Sequence, residues 1–319
     1  MAENVRIAIV GLGQIGGSLG LALHRSDTAL EIIGHDKDPS AAAEAKKRGA
    51  VDRTSWNLIS AVEAADIVVL ALPLPAIRET LQAIASELKP GTVITDTASS
   101  KAAVVAWAEA LLPDSVSFVG GDPLVRRPDT GTRFDAGLFA GRDYCLVPTS
   151  RTNPQAVELI ANLISLVGAK PYFLDATEHD SLTVAVTHLP VLLATTLLQV
   201  TTEDVAWREM ARMAGWPYHA ATQLPADEPQ TLVELFLRNR ADLVRWADAY
   251  SAAFGKIRDL IAGGEDDALL GMLTTLLDAH ALWARGMEGK MSEPLERGLD
   301  EIERFSLSGL FGFRSRRQS

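Results

Sequence analysis

Val10-Gly11-Leu12-Gly13-Gln14-Ile15-Gly16-Gly17-Ser18 is the stretch on which the fold turns. It follows a β-branched run at 5–10 and leads into an apolar helical segment, so it reads as strand, tight turn and helix start. A GxGxxG spacing alone is weak. Here Asp36 stands twenty residues beyond Gly16, at the end of the next β-branched run, and that context is specific for a dinucleotide. Gly11 allows the turn, Gly13 lets the backbone approach a pyrophosphate, and Gly16 lets helix and strand pack closely. The first helical turn, from Gln14 and Ile15, offers free N–H groups and positive partial charge to phosphate. Asp36 is placed to accept hydrogen bonds from the adenosine ribose, and its charge would repel a 2′-phosphate. NAD is therefore expected over NADP, with Lys37 leaving open a partial rescue of NADP.

Outward from this loop, short β-branched runs at 31–35, 66–71, 92–96, 117–119, 143–147 and 171–174 alternate with helical segments at 39–48, 76–88, 102–112 and 155–167. Such alternation predicts an α/β Rossmann-type domain, a doubly wound parallel sheet with crossover helices. Beyond Asp175 the strands stop. Helical stretches at 177–204, 205–214, 229–262 and 266–287 follow. Two domains are expected: a dinucleotide-binding domain over 1–174 and an all-α substrate and dimerisation domain over 175–319. The segments 182–200 and 268–285 are too apolar to cover one Rossmann domain thinly, so a homodimer is expected.

Composition narrows the classes further. A net charge of −11 over 319 residues argues against a nucleic-acid partner, which would need clustered cations. The one basic cluster, Arg314, Arg316 and Arg317, reads as a frayed terminus. A single cysteine, Cys145, excludes an internal disulfide and fits a reducing compartment. With no signal peptide ahead of residues 5–10, a cytoplasmic location is expected. Residues 182–200 are long enough to raise a membrane span, but they carry His188, Pro190 and several threonines without a basic flank. A buried interface helix is the better reading, and no membrane partner is expected. Six histidines and one cysteine show no ligand spacing, so no metal is expected.

Several blocks resemble the prephenate and arogenate dehydrogenase family over roughly residues 5–250. They include Ala65-Asp66-Ile67-Val68-Val69-Leu70-Ala71-Leu72-Pro73, Thr95-Asp96-Thr97-Ala98-Ser99-Ser100-Lys101 and Gly120-Gly121-Asp122-Pro123-Leu124. Farther on come Glu178-His179-Asp180, Thr187-His188-Leu189-Pro190 and Asp227-Glu228-Pro229 leading to Leu235-Phe236-Leu237-Arg238-Asn239. The resemblance implies oxidative decarboxylation of a cyclohexadiene with two carboxylates: hydride leaves C4 for NAD, the ring carboxylate leaves as carbon dioxide, and the ring becomes aromatic. The protein then has mainly to orient C4 against the nicotinamide.

The chain departs from the family where the chemistry sits. Asp122 replaces the histidine that the family hydrogen-bonds to the C4 hydroxyl. A family glutamate falls on Pro128, a substrate-contacting histidine on Val191, and an arginine on Gln223. Asp122, following what reads as the fifth strand, lies on the carboxyl edge where ligands bind; the bland alternative is a loop cap. Ser99 is either a helix N-cap, a contact of nicotinamide or substrate, or both. The catalytic candidates are thus Asp122, Ser99 and His188, the last at an apolar helix that Pro190 is expected to kink. Lys101 and His179 are candidate substrate contacts, each with a solvent-facing alternative. Arg126, Arg127 and Arg133 are candidates for the substrate carboxylates, since the guanidinium fork binds both oxygens; the alternative is a solvated basic loop.

Three functions remain open from sequence. The leading one is a family dehydrogenase acting on 4-amino-4-deoxyprephenate, giving 4-aminophenylpyruvate. The others are an ordinary prephenate or arogenate dehydrogenase and a dinucleotide-binding sensor or scaffold without catalysis.

Overall fold

The protein is described by a computed structural model over residues 5–26, 28–125, 134–224 and 229–286. Eight strands form one sheet: β1 (Val5–Val10), β2 (Leu30–His35), β3 (Arg53–Thr54), β4 (Ile67–Leu70), β5 (Val93–Asp96), β6 (Ser117–Pro123), β7 (Asp143–Pro148) and β8 (Lys170–Phe173). Their spatial order is β3-β2-β1-β4-β5-β6-β7-β8. Crossover helices α1 (Gln14–His24), α2 (Pro39–Lys47), α3 (Leu58–Val62), α4 (Leu74–Ile84), α5 (Ala102–Leu111) and α6 (Pro154–Leu166) connect them. Ile7, Ile9, Ile67, Val68, Val69 and Leu70 are fully or almost fully buried. Continuous apolar strands are what a parallel sheet covered on both faces requires.

The expected Rossmann-type sheet is present, with two departures. The two-residue strand β3 is too short to show in the sequence, and it makes the strand before Asp122 the sixth. That strand runs to Pro123 and pairs antiparallel with β7, Asp122 lying opposite Cys145. Asp122 therefore sits within β6 rather than in a loop after it. The other strand pairings, including β7 with β8, are parallel.

Helices follow the sheet: α7 (Ala176–Thr183), a π-helical turn (Val184–His188), α8 (Leu189–Thr202), α9 (Trp207–Met213), α10 (Trp216–Ala221), α11 (Pro229–Arg238), α12 (Arg240–Gly263) and α13 (Asp266–Gly286). The stretch 177–204 is thus not one helix. Leu189 donates its N–H to the Val184 carbonyl, five residues back, and the wide turn precedes Pro190, which has no N–H to give. A π-turn stands immediately before the proline at which a kink is expected. Likewise 229–262 divides at Asn239 into α11 and α12.

Compactness divides the chain into a unit Met1–Arg240, which holds the sheet and α1 to α11, and a unit Ala241–Ser319. In the second unit, Leu243 is the buried residue of α12, and Phe254, Ile261, Leu270, Leu277 and Leu282 stand exposed. In the first, Ala176–Thr202 has the length and apolar composition of a membrane span. Its His179, Asp180 and His188 are buried inside the protein, while Leu182, Val186 and Val200 stand exposed.

Candidate active site

The glycine loop has the shape that its sequence requires. Gly11 has φ of +93°, and a Cβ there would lie 2.2 Å from the Ala71 carbonyl oxygen. A Cβ on Gly16 would meet the Gly11 carbonyl oxygen at 2.0 Å and the Ile9 side chain at 3.1 Å, so helix α1 sits on β1 only because Gly16 is bare. At Gly13 nothing lies within 4 Å, which leaves open space beside the α1 N-terminus. Asp36 reaches back across the loop: its carboxylate accepts from Leu12 N at 2.7 Å and Asp38 N at 2.8 Å. Each oxygen keeps lone-pair capacity for a second donor. Loop, helix end and acidic group fit a dinucleotide with two ribose hydroxyls.

A second cluster is built where β5, β6 and α7 meet. Asp175 opens α7 by accepting from Thr177 N and Glu178 N, both at 2.9 Å, and this cap presents His179 and Asp180 one turn on. Asp180 accepts from Lys101 N at 2.6 Å and Ala102 N at 3.0 Å, holding the start of α5, and from Ser100 Oγ at 3.3 Å. His179 bridges two carboxylates, with Nδ1 3.0 Å from Asp180 and Nε2 3.1 Å from Asp122. Burial works against a charge on His179, but the hydrogen bonds with Asp122 and Asp180 outweigh it and hold the imidazole above its usual pKa. Burial likewise opposes ionisation of Asp180; His179 and the two backbone N–H groups prevail and carry its pKa down. For Asp122 burial dominates, and His179 and Lys101 only partly offset it, so its pKa is raised. One Asp122 oxygen faces His179. The other has no hydrogen-bond partner among the described residues.

Lys101 is not exposed at all. Its ammonium is ion-paired with the equally buried Asp96 and donates to the Gly121 carbonyl oxygen at 2.6 Å. Sequence leaves Lys101 as either a substrate contact or a solvent-facing residue; here the lysine neutralises Asp96 beneath the backbone of Gly121, next to Asp122. With His179 protonated and Asp122 ionised, the three carboxylates (Asp96, Asp122, Asp180) and two cations (Lys101, His179) sum to a net formal charge of −1 among the described residues.

Ser99, Ser100 and His188 line a cavity of about 220 Å³ with Leu72, Pro73, Leu235, Glu234 and Arg238 among others. It opens beyond the carboxyl ends of β4 and β5, on the side of the sheet that carries the glycine loop. His188 is buried, its Nδ1 lacks a hydrogen-bond partner among the described residues, and burial lowers its pKa despite the opposing charge of Asp180. A neutral imidazole therefore borders the cavity. Asp122 and His179 do not line it; they connect to it through Asp180 and Ser100. A larger cavity, about 300 Å³, lies at the opposite sheet edge beside Ser117 and Thr149, and no candidate residue lines it.

Arg126, Arg127 and Arg133 lie outside the described residues. Among the described residues no group of His, Cys, Asp and Glu is arranged to hold a metal ion. Cys145 is buried in β7, and burial pushes its thiol up to about 12, so it carries no reactive thiolate. Sequence reasoning missed Asp96, Asp180 and Arg238 as parts of this region. Asp96 and Asp180 sit inside quoted motifs, yet what they bind is distant in sequence and was not legible there.

Comparison with known proteins agrees with the geometry. Residues 19–173 match the family model for the nucleotide-binding domain of prephenate dehydrogenase, and residues 175–275 match that for its dimerization domain. Prephenate dehydrogenase of Bacillus subtilis (strain 168) is 29% identical over 85% of this chain and 74% of its own length. A 4-amino-4-deoxyprephenate dehydrogenase of Streptomyces pristinaespiralis is 29% identical over 58% of this chain and 60% of its own. The crystal structure of prephenate dehydrogenase from A. aeolicus in complex with hydroxyphenyl propionate and NAD+ superposes with a TM-score of 0.79. It is 24% identical and covers 88% of this chain and 98% of that one, and the likeness shows a shared fold.

Proposed function

The chain belongs to the prephenate dehydrogenase family, and from that premise we propose that it decarboxylates a prephenate-type cyclohexadiene oxidatively with NAD, 4-amino-4-deoxyprephenate being the favoured substrate. NAD, when bound, supplies the hydride acceptor. The Gly11–Gly13–Gly16 loop and the first turn of α1, from Gln14 and Ile15, hold the pyrophosphate; Asp36 holds the adenosine ribose. Ser99, at the carboxyl edge of the sheet, contacts nicotinamide or substrate.

The observation that supports this choice of substrate is the buried cluster itself: with Asp96, Asp122, Asp180, Lys101 and His179 all ionised, the described residues carry a net formal charge of −1, and one Asp122 oxygen has no hydrogen-bond partner among them. A hydroxyl at C4 can donate to Asp122 but leaves the charge uncompensated. On this proposal C4 projects from the Ser99–His188 cavity past Ser100 to Asp122, which does not itself line that cavity. An ammonium there, with a pKa near that of an alkylamine, about 10, neutralises the charge and donates to Asp122 by a charge-assisted hydrogen bond. The ammonium must lose a proton before hydride can leave its carbon. Asp122, made more basic by burial, takes that proton. As hydride departs C4, the electron pair of the ring–carboxylate bond enters the ring, carbon dioxide leaves, and the product is an arylamine. His179 is the positioning residue: fixed by Asp180, it holds Asp122 in place through one carboxylate oxygen.

A second reading, oxidation of prephenate itself, is favoured by His188. A neutral imidazole lining the cavity is an acceptor suited to a C4 hydroxyl proton. NADH formation from prephenate, arogenate and the amino compound in parallel decides between the two: the first reading requires the highest kcat/KM for the amino substrate.

The match to the dimerization-domain model and the exposed apolar residues of α12 and α13 support a homodimer. Light scattering at micromolar concentration should give twice the mass of one chain, and a clean monomer would remove this part of the proposal.

A further inference from the structure

We propose that Arg238 is the anchor for the side-chain carboxylate of the substrate, the one that survives into the product. The proposal rests on the reading that the substrate is an anionic cyclohexadiene, and it holds for either C4 substituent. Arg238 ends α11 and lines the same cavity as Ser99 and His188. Among the described residues it is the one cationic side chain in that lining, where burial lowers the His188 pKa and Glu234 is the other ionisable group. A dianionic ligand in this cavity meets no other described cation.

The guanidinium is also pre-organised. It stacks over the indole of Trp107, 4.6 Å from the ring centroid, and its Nη2 donates to Glu234 at 3.3 Å. Of the five N–H donors of an arginine, the other four make no hydrogen bond among the described residues. Stacking on one face and pairing at one corner leave an edge of the fork available, which is the geometry that binds a carboxylate through both oxygens. The side chain is about one-third exposed (33%), so the edge is reachable and its substitution leaves the core intact.

Chemistry selects which carboxylate it takes. The ring carboxylate loses its charge as it becomes carbon dioxide, and an arginine fixed on it would stabilise the ground state more than the transition state and slow the reaction. The side-chain carboxylate keeps its charge throughout. An arginine bound there lowers KM and leaves kcat unchanged.

Full-length wild type, Arg238→Ala, Arg238→Lys and Glu234→Gln are compared by calorimetry in saturating NAD. The probes are 3-(4-aminophenyl)propanoate and the corresponding alcohol, 3-(4-aminophenyl)propan-1-ol. Wild type should favour the acid by about tenfold to a hundredfold. Arg238→Ala should abolish that preference with NAD affinity unchanged, Arg238→Lys should keep part of it, and Glu234→Gln should keep or strengthen it. With whichever cyclohexadiene is turned over, Arg238→Ala should raise KM by the same factor and leave kcat within about twofold. Equal binding of acid and alcohol by wild type overturns the proposal, as does an undiminished preference in Arg238→Ala. Loss of acid, alcohol and NAD affinity together would show a structural arginine and overturn it too. Absent turnover of every cyclohexadiene, with the acid preference intact and dependent on Arg238, would overturn the reaction proposed above and uphold the anchor.

Discussion

Replacing Asp122 by Asn removes one negative charge from the buried cluster and little else. The amide keeps the volume, and its oxygen still accepts from His179 Nε2, which lies 3.1 Å from the carboxylate in the wild type. The cluster moves from a net −1 to neutral, so an ammonium at C4 enters the site without its counter-charge. Two unit charges in hydrogen-bond contact, about 3 Å apart, interact by roughly 5 kcal/mol at an effective dielectric constant near 20. Removing one partner of a buried pair costs about 3–5 kcal/mol in measured cases. Either route gives a loss of hundreds-fold to thousands-fold in kcat/KM for the amino substrate. The assay is initial-rate NADH formation with the amino compound and with prephenate, alongside NAD affinity and melting temperature to show that the fold is intact. Prephenate turnover should change far less, and Asp122→His should move the preference towards prephenate. The pH profile adds a second signature. Protonation of Asp122 abolishes its charge, so kcat/KM for the amino substrate should fall on the acid side, along a limb above the ordinary carboxylate range because burial raises this group. Asp122→Asn should lack that limb. If wild type oxidises prephenate faster than the amino compound, and Asp122→Asn loses less than about threefold on either, the charge argument is wrong.

Three further outcomes are expected. Asp36→Ala should weaken NAD binding by about tenfold to a hundredfold and narrow its advantage over NADP, read by fluorescence titration; a wild type that prefers NADP would refute the reading. Lys101→Met should leave Asp96 buried without its counter-ion and lower stability by about 3–5 kcal/mol in urea unfolding; a change below about 1 kcal/mol would mean that water reaches Asp96. His179 has a folded pKa raised above 6.5, so its protonation stabilises the fold below that pH and the stabilisation is lost as pH rises through the folded value. Melting temperature should therefore fall less from about pH 6 to about pH 9 in His179→Gln than in wild type, and parallel profiles would exclude the bridged imidazolium.

The dinucleotide site was legible in the sequence because its determinants are local. Gly11, Gly13, Gly16 and Asp36 act through backbone shape, and the fixed spacing of strand, turn and helix brings them together in any chain that forms this unit. The alternation of strands and helices, and the change to helices after Asp175, are periodic signals of the same kind. The candidate chemical site is not local. Lys101 in sequence is a polar residue at a helix start, equally suited to solvent or substrate; only the packing of β5 against β6 encloses it with Asp96 and removes it from both. His179 and Asp180 lie 57 and 79 residues from the groups they bind, Asp122 and Lys101 N, so no window of sequence reveals that one imidazole joins two carboxylates. Arg238 had no motif to mark it, and its stacking on Trp107 exists only because α11 closes over α4 and α5. Spacing along the chain determined where the cofactor loop lies. Which side chains are charged, neutral or enclosed around the reacting carbon was decided by burial and by long-range neighbours, and those exist only in the folded protein.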